Sequence, residues 1–211
     1  CGTTYVMPEI SSDVANRSNM LFAEANAAPQ RQPSSARTGS ARYQRVISRV
    51  EPVARQFCEQ EFSGQEQVDC NVRLEVDTTM NERNAYFTYA GPNNTVPVIR
   101  FTVAMLQDAK SDDEIAFIIG HEYGHLIGQH IIKQQQQQLA GALILGAVAA
   151  YGNAQAASAG TYYDPNAVND SMELGATIGQ IAFSKTYELE SDMIGTRITA
   201  AAGYDPIEGA K

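Results

Sequence analysis

The run SDDEIAFIIGHEYGHL, residues 111–126, decides how the rest of the chain is read. It opens on Ser111-Asp112-Asp113-Glu114, the S-x-x-E pattern of a capping box, with acids set against the positive end of a helix. Ile115, Ile118, Ile119, Glu122 and Leu126 then recur at helical spacing, and the helix is expected to run to about Lys133 or beyond. Inside it lies His121-Glu122-Tyr123-Gly124-His125. At 100° per residue the two histidines fall about 40° apart and one turn along, so both imidazoles can meet one ion. Glu122 is rotated about 100° from His121, close enough to reach a metal-activated water without ligating the metal. That is the set a hydrolase needs.

A third histidine, His130, lies about 140° around the same helix from His125 and is expected in a core or helix-end role. Two histidines leave tetrahedral zinc one protein ligand short. The segment Ser184-Lys185-Thr186-Tyr187-Glu188-Leu189-Glu190-Ser191-Asp192 offers the third. Glu188 and Asp192 are four apart and share a helix face, while Glu190 points about 200° away from Glu188. Glu188 as ligand, with Asp192 hydrogen-bonded to a ligating histidine, would complete the set. Taken alone, these acids would read as a solvated helix face.

These stretches resemble the HtpX and CaaX-prenyl-protease family of zinc metallopeptidases, gluzincins with H-E-x-x-H and a later E-x-x-x-D. Gly120 to His125 followed by His130 is similar to the family's helix. Phe183-Ser184-Lys185 with Glu188-Leu189-Glu190-Ser191-Asp192 resembles its F-S-R-x-x-E-x-E-A-D, with Lys185 for Arg and Ser191 for Ala. Ala202-Gly203-Tyr204-Asp205-Pro206 is similar to the A-G-Y-D-P that follows, and Asn84-Ala85-Tyr86 resembles the N-A-F of the substrate-side strand. The resemblance runs from about Tyr43 to the C-terminus. It implies an α+β, zincin-like metalloprotease domain, mostly helical with a small antiparallel sheet. It also implies one zinc per chain held by His121, His125 and Glu188, with Glu122 as general base. Substrate would lie along the strand at Asn84 and Ala85. By the same resemblance, the substrates are unfolded or misassembled envelope polypeptides.

Outward from the motif, Val46, Ile47, Val50, Val53, Ala54, Phe57 and Cys58 share a helical face that begins near Tyr43. Val72, Leu74 and Val76 alternate as a strand, and Ala85–Tyr89 and Val96–Val103 are two more, joined by the turn-rich Gly91-Pro92-Asn93-Asn94. A helical stretch is expected from about Asp170 to Ala202, stopped by Gly203. Residues 1–42 are rich in Ser, Ala, Asn, Pro and Arg and read as a flexible tether with one short helix near Val14–Ala25. Residues 43–211 are the metallopeptidase domain.

From Gln134 to Tyr163 there are 30 residues without a charge, including five consecutive Gln. The apolar run Leu139–Tyr151 would reach only about 20 Å as a helix, short of a bilayer core of about 30 Å. The segment is a core helix, a lid or plug over the cleft, or a surface for an oligomer or partner, with Gly152–Gly160 as a hinge.

The net charge of −9, from 15 Lys and Arg against 24 Asp and Glu, repels phosphate and excludes nucleic acid as a partner. Cys58 and Cys70, with 11 residues between them, match no zinc spacing; they form a disulfide in an oxidising compartment or are two buried thiols. Cys1, followed by Gly2, resembles the lipid-bearing cysteine of a mature bacterial lipoprotein, or is simply where the sequence starts. That resemblance implies a periplasmic protein anchored to the outer membrane, touching the membrane only through the lipid on Cys1. The competing functional class is an envelope chaperone or assembly factor with little or latent peptidase activity.

Overall fold

A computed structural model describes residues 2–27, 32–63, 65, 68–161, 164–182 and 184–211. Cys1, Phe183 and the end of the uncharged segment at Tyr162 and Tyr163 lie outside the described residues. In chain order the elements are α1 (Ser12–Ala27), α2 (Ala36–Glu61), β1 (Arg73–Asp77), β2 (Ala85–Ala90), β3 (Val96–Thr102) and α3 (Val103–Asp108). They continue with α4 (Asp112–Ile127), α5 (His130–Ser158), α6 (Ala167–Ile181), α7 (Ser184–Ala201) and α8 (Pro206–Gly209). The chain divides into two compact units, one built from Tyr5–Gly128 with Leu189–Lys211 and one from Cys1–Thr4 with Gln129–Glu188.

In the first unit α2 buries Tyr43, Val46, Val50, Ala54 and Cys58 along one stripe. The helix starts at Ala36, seven residues before the expected Tyr43, because Ser35 caps it by accepting from the Thr38 amide. The residues before it are not all free tether either: the Tyr5 amide donates to Glu190 at 2.6 Å and its hydroxyl donates to Glu61.

The sheet has the order β1-β3-β2, with β3 central. It is mixed rather than antiparallel as expected. β2 and β3 form the predicted antiparallel hairpin, Ala85 opposite Phe101, but β1 runs parallel to β3, Arg73 opposite Val98. Alternation of apolar residues marks a strand but not the direction of its partner. β2 is an edge of this sheet.

The core of this unit joins α2, β3, α4 and α7. Tyr43 meets Phe101 with ring centroids 4.9 Å apart, and Val46, Val50, Ile99, Ile115, Ile119, Ile194 and Ile198 are buried. Each such side chain contributes about 1.5–3 kcal/mol through removal from water. Cys58 and Cys70 are disulfide-bonded, with Cα atoms 5.8 Å apart, tying the last turn of α2 to the residues before β1.

The second unit is a pair of antiparallel helices, α5 and α6, with the first turn of α7. The helix expected to continue to Lys133 stops at Ile127, where Gln129 adopts φ 52° in the left-handed region and α5 begins afresh at His130. The stretch expected from Asp170 to Ala202 is likewise two helices, α6 and α7. Gly152 is no hinge: α5 runs unbroken through it to Ser158, and the glycine at positive φ is Gly160, just beyond. By length and composition α5, with 29 residues, is able to cross a membrane, although the apolar run within it is short. Only 6% of its most apolar window is buried, so it is not a core helix.

Candidate metal centre

The start of α4 is fixed by the expected cap: Ser111 Oγ accepts from the Glu114 amide at 3.1 Å. The Glu114 carboxylate reaches back to the Lys110 amide at 2.7 Å and pairs with Arg83 at 3.2 Å. About two and three turns beyond Glu114, His121 and His125 project from one face of the helix. Their Nε2 atoms are 3.2 Å apart and their rings meet edge to face, centroids 4.9 Å apart.

The α7 helix passes α4 at backbone contact. A methyl group on Gly124 would lie 2.7 Å from Cα of Ser191, and one on Gly120 would lie 2.9 Å from the Gly195 carbonyl oxygen. Only glycine permits that approach. It brings Asp192 Oδ1 to 2.8 Å from His121 Nδ1. A carboxylate there holds the ring proton on Nδ1 and leaves the Nε2 lone pair for a ligand.

Glu188 sits one turn before Asp192. It lies on the same helix, α7 (Ser184–Ala201). One donor atom each from His121, His125 and Glu188 lie within 4.8 Å of one another. Two nitrogens bound to one zinc at about 2.0–2.1 Å in tetrahedral geometry stand about 3.3 Å apart, close to the spacing of the two Nε2 atoms here. The donor set of two imidazoles and a carboxylate therefore fits zinc in both chemistry and spacing.

Glu122 is buried beside His121. A cleft of about 370 Å³ is lined by His121, Glu122 and Asp192 from the helices, by Asn84 and Ala85 at the start of β2, and by Phe117. Asn84 is held in place by backbone and side-chain bonds to Thr102: its amide donates to Thr102 Oγ1 at 3.0 Å, and its carbonyl accepts from the Thr102 amide at 2.9 Å. A larger cavity of about 540 Å³, lined by Ser18, Leu21, Thr196 and Ile207, contains neither histidine.

His130 is buried at the start of α5 and stacks on Tyr187, centroids 4.6 Å apart and planes 16° from parallel. It is not one of the grouped donors. Glu190 is also buried, where it accepts from the Tyr5 amide. Gly120, Gly124, Ser191 and Gly195 escaped the sequence reading as site-building residues. Their signal was present: small residues four apart on each of two helices mark faces that approach closely.

A family model described as Peptidase family M48 matches residues 40–211. The mitochondrial metalloendopeptidase OMA1 of Arabidopsis thaliana is 32% identical over 109 residues, which is 52% of this chain and 19% of that protein. The chain thus matches about a fifth of the length of that curated relative. No solved structure matches.

Proposed function

The chain belongs to peptidase family M48, and from that membership we propose that it is a zinc-dependent endopeptidase of the gluzincin type, acting on unfolded or misassembled envelope polypeptides. The observation that carries the reading is the 3.2 Å spacing of the two histidine Nε2 atoms, with Asp192 behind one ring and Glu122 beside it in an open cleft. His121, His125 and Glu188 would hold the metal. Zinc bound there supplies a lowered pKa for water and a polarised peptide carbonyl.

The residues of the chain do the rest. Asp192 keeps the His121 ring in one orientation and one tautomer. Glu122, recessed beside the ligands, takes a proton as water attacks the carbonyl carbon. It delivers that proton to the amine nitrogen as the C–N bond breaks. An extended substrate would pair with the free edge of β2, beginning at Ala85, so that its backbone lies along the cleft. Edge pairing selects extended chains, which supports unfolded polypeptides as substrates. The Cys58–Cys70 bridge supports an oxidising compartment such as the periplasm.

Casein cleavage by the zinc-loaded wild type, lost in Glu122→Gln with zinc retained, tests this reading. Equal turnover by both proteins would overturn the assignment of Glu122. No turnover by either would leave the chaperone class standing.

A further inference from the structure

The α5–α6 pair is built inside out. Its closest approach is made by small residues, Gly141 on one helix against Gly175 and Gly179 on the other, with the Met172 side chain packed on Gly146. The backbones touch there, since a methyl on Gly175 would lie 2.1 Å from the Gly141 carbonyl oxygen and one on Gly179 would lie 2.1 Å from that of Gln137. Large apolar residues face outward instead. Leu139, Leu143, Ile144, Val148 and Tyr151 of α5, with Ile178 of α6, are all more than half exposed. A water-soluble helix pair does the reverse, burying its large residues in a stripe about 100° wide. Glycine seams with apolar exteriors belong to helices whose solvent is lipid.

We propose that the α5–α6 hairpin is a membrane-binding element that lies in the interfacial layer of a lipid bilayer. Two features favour lipid over a second copy of the chain as the occupant. The outward apolar residues of α5 spread over about 180° of its circumference at 100° per residue, wider than the stripe of about 100° that a packed helix buries and within the half-circumference that an in-plane helix immerses. The helix also carries no charge from Gln134 onward to complement a polar partner. Two features decide between lying on the bilayer and crossing it. The belt from Leu139 to Tyr151 reaches about 20 Å, against about 30 Å for the hydrocarbon core. On α6, Asp170 and Glu173 would have to enter that core if the hairpin crossed. Leu174, Ile178 and Ile181 share an arc of about 60°, with Asp170 about 20° beyond its edge and Glu173 about 80° beyond, so an in-plane hairpin sets Asp170 at the water boundary and Glu173 in water.

The chain contains no Trp, so Tyr151→Trp installs a single reporter. The full chain is used with Cys1→Ser, so that no acyl group is carried at that position. With phosphatidylcholine vesicles the emission should shift to shorter wavelength. Lipids brominated high on the acyl chain should quench it more strongly than lipids brominated near the chain ends. The exposed pair Ile144→Asp and Val148→Asp, without the reporter, should weaken co-flotation with vesicles roughly tenfold or more while zinc content and far-UV dichroism are kept. Emission already shifted without vesicles, rising with protein concentration and untouched by brominated lipids, would overturn the proposal in favour of a second copy. Strongest quenching from the chain ends would replace it with a crossing hairpin. Flotation unaffected by the two aspartates would overturn it outright.

Discussion

The imidazole Nδ1 of His121 and the carboxylate Oδ1 of Asp192 stand 2.8 Å apart, joining α4 to α7 through a ring whose other nitrogen faces His125. Removing the carboxylate frees the ring to rotate and to change tautomer. Asp192→Ala should therefore bind zinc about 10–100-fold more weakly while the fold persists. Competition with a chromophoric chelator measures this. Unchanged affinity would mean that packing alone orients His121.

Gly124 sets the spacing on which that contact depends. A methyl at this position would collide with Cα of Ser191, which is backbone and cannot swing away. Gly124→Ala should push α7 off α4, costing about 1–3 kcal/mol of stability and lowering zinc affinity as well. The coupled loss is the diagnostic, read by urea denaturation and zinc titration on the same protein. A stable variant with intact affinity would show that the helices tolerate the wider spacing.

The α4 helix was legible because cap, period and motif agree: Ser111, the Ile115–Ile119 spacing and the His pair all point to one element. The pairing of β1 was not, because its partner β3 lies more than 20 residues away and apolar alternation carries no strand direction. The break at Gln129 was hidden because Ile127 and Ile131 continue the helical period across it. α5 was read too short for the opposite reason. Gly152–Gly160 looked like a hinge, yet its alanines are the strongest helix formers, and Gly152 is carried along. For the candidate metal site, spacing pointed to the donor group; the small residues four apart on each helix were legible too, but not that the two faces meet each other.

Cys58 ends a helix face in the core and Cys70 precedes the strand that follows, both buried. Opening this short loop should cost about 2–4 kcal/mol and lower the Tm by roughly 5–15 °C. A thermal melt with and without reductant checks it, with alkylation confirming that both thiols appear only after reduction. Alkylation of either cysteine before reduction would exclude the bridge.

Asp77 gives the chain an acid-sensitive turn. Its carboxylate accepts from the Thr79 hydroxyl and amide, both at 2.7 Å, from Tyr86 Oη at 2.8 Å and from the Met80 amide at 3.2 Å. These bonds, the Thr79 hydroxyl foremost, hold its pKa well below the ordinary carboxylate value. The folded value lies below the unfolded value of about 3.9, so the stabilisation is complete above that pH and drains away as pH falls toward the folded pKa. Urea midpoints measured below about pH 4 should fall more steeply for the wild type than for Asp77→Asn. Parallel slopes would sink this assignment.

Tyr123 lies between the residues of the metal motif but points the other way, about 200° around α4 from His121. Its ring is fully buried, and its hydroxyl finds no hydrogen-bond partner among the described residues. The same burial pushes its pKa up. A buried donor left unsatisfied carries a desolvation cost of about 1–3 kcal/mol. Phenylalanine keeps the ring and removes the hydroxyl. Tyr123→Phe should therefore be stabilising by about 1 kcal/mol, raising the Tm by roughly 2–4 °C, with zinc affinity and casein turnover unchanged. A loss of stability of similar size would mean that the hydroxyl is satisfied by a buried water, and a loss of turnover would put Tyr123 into the chemistry after all.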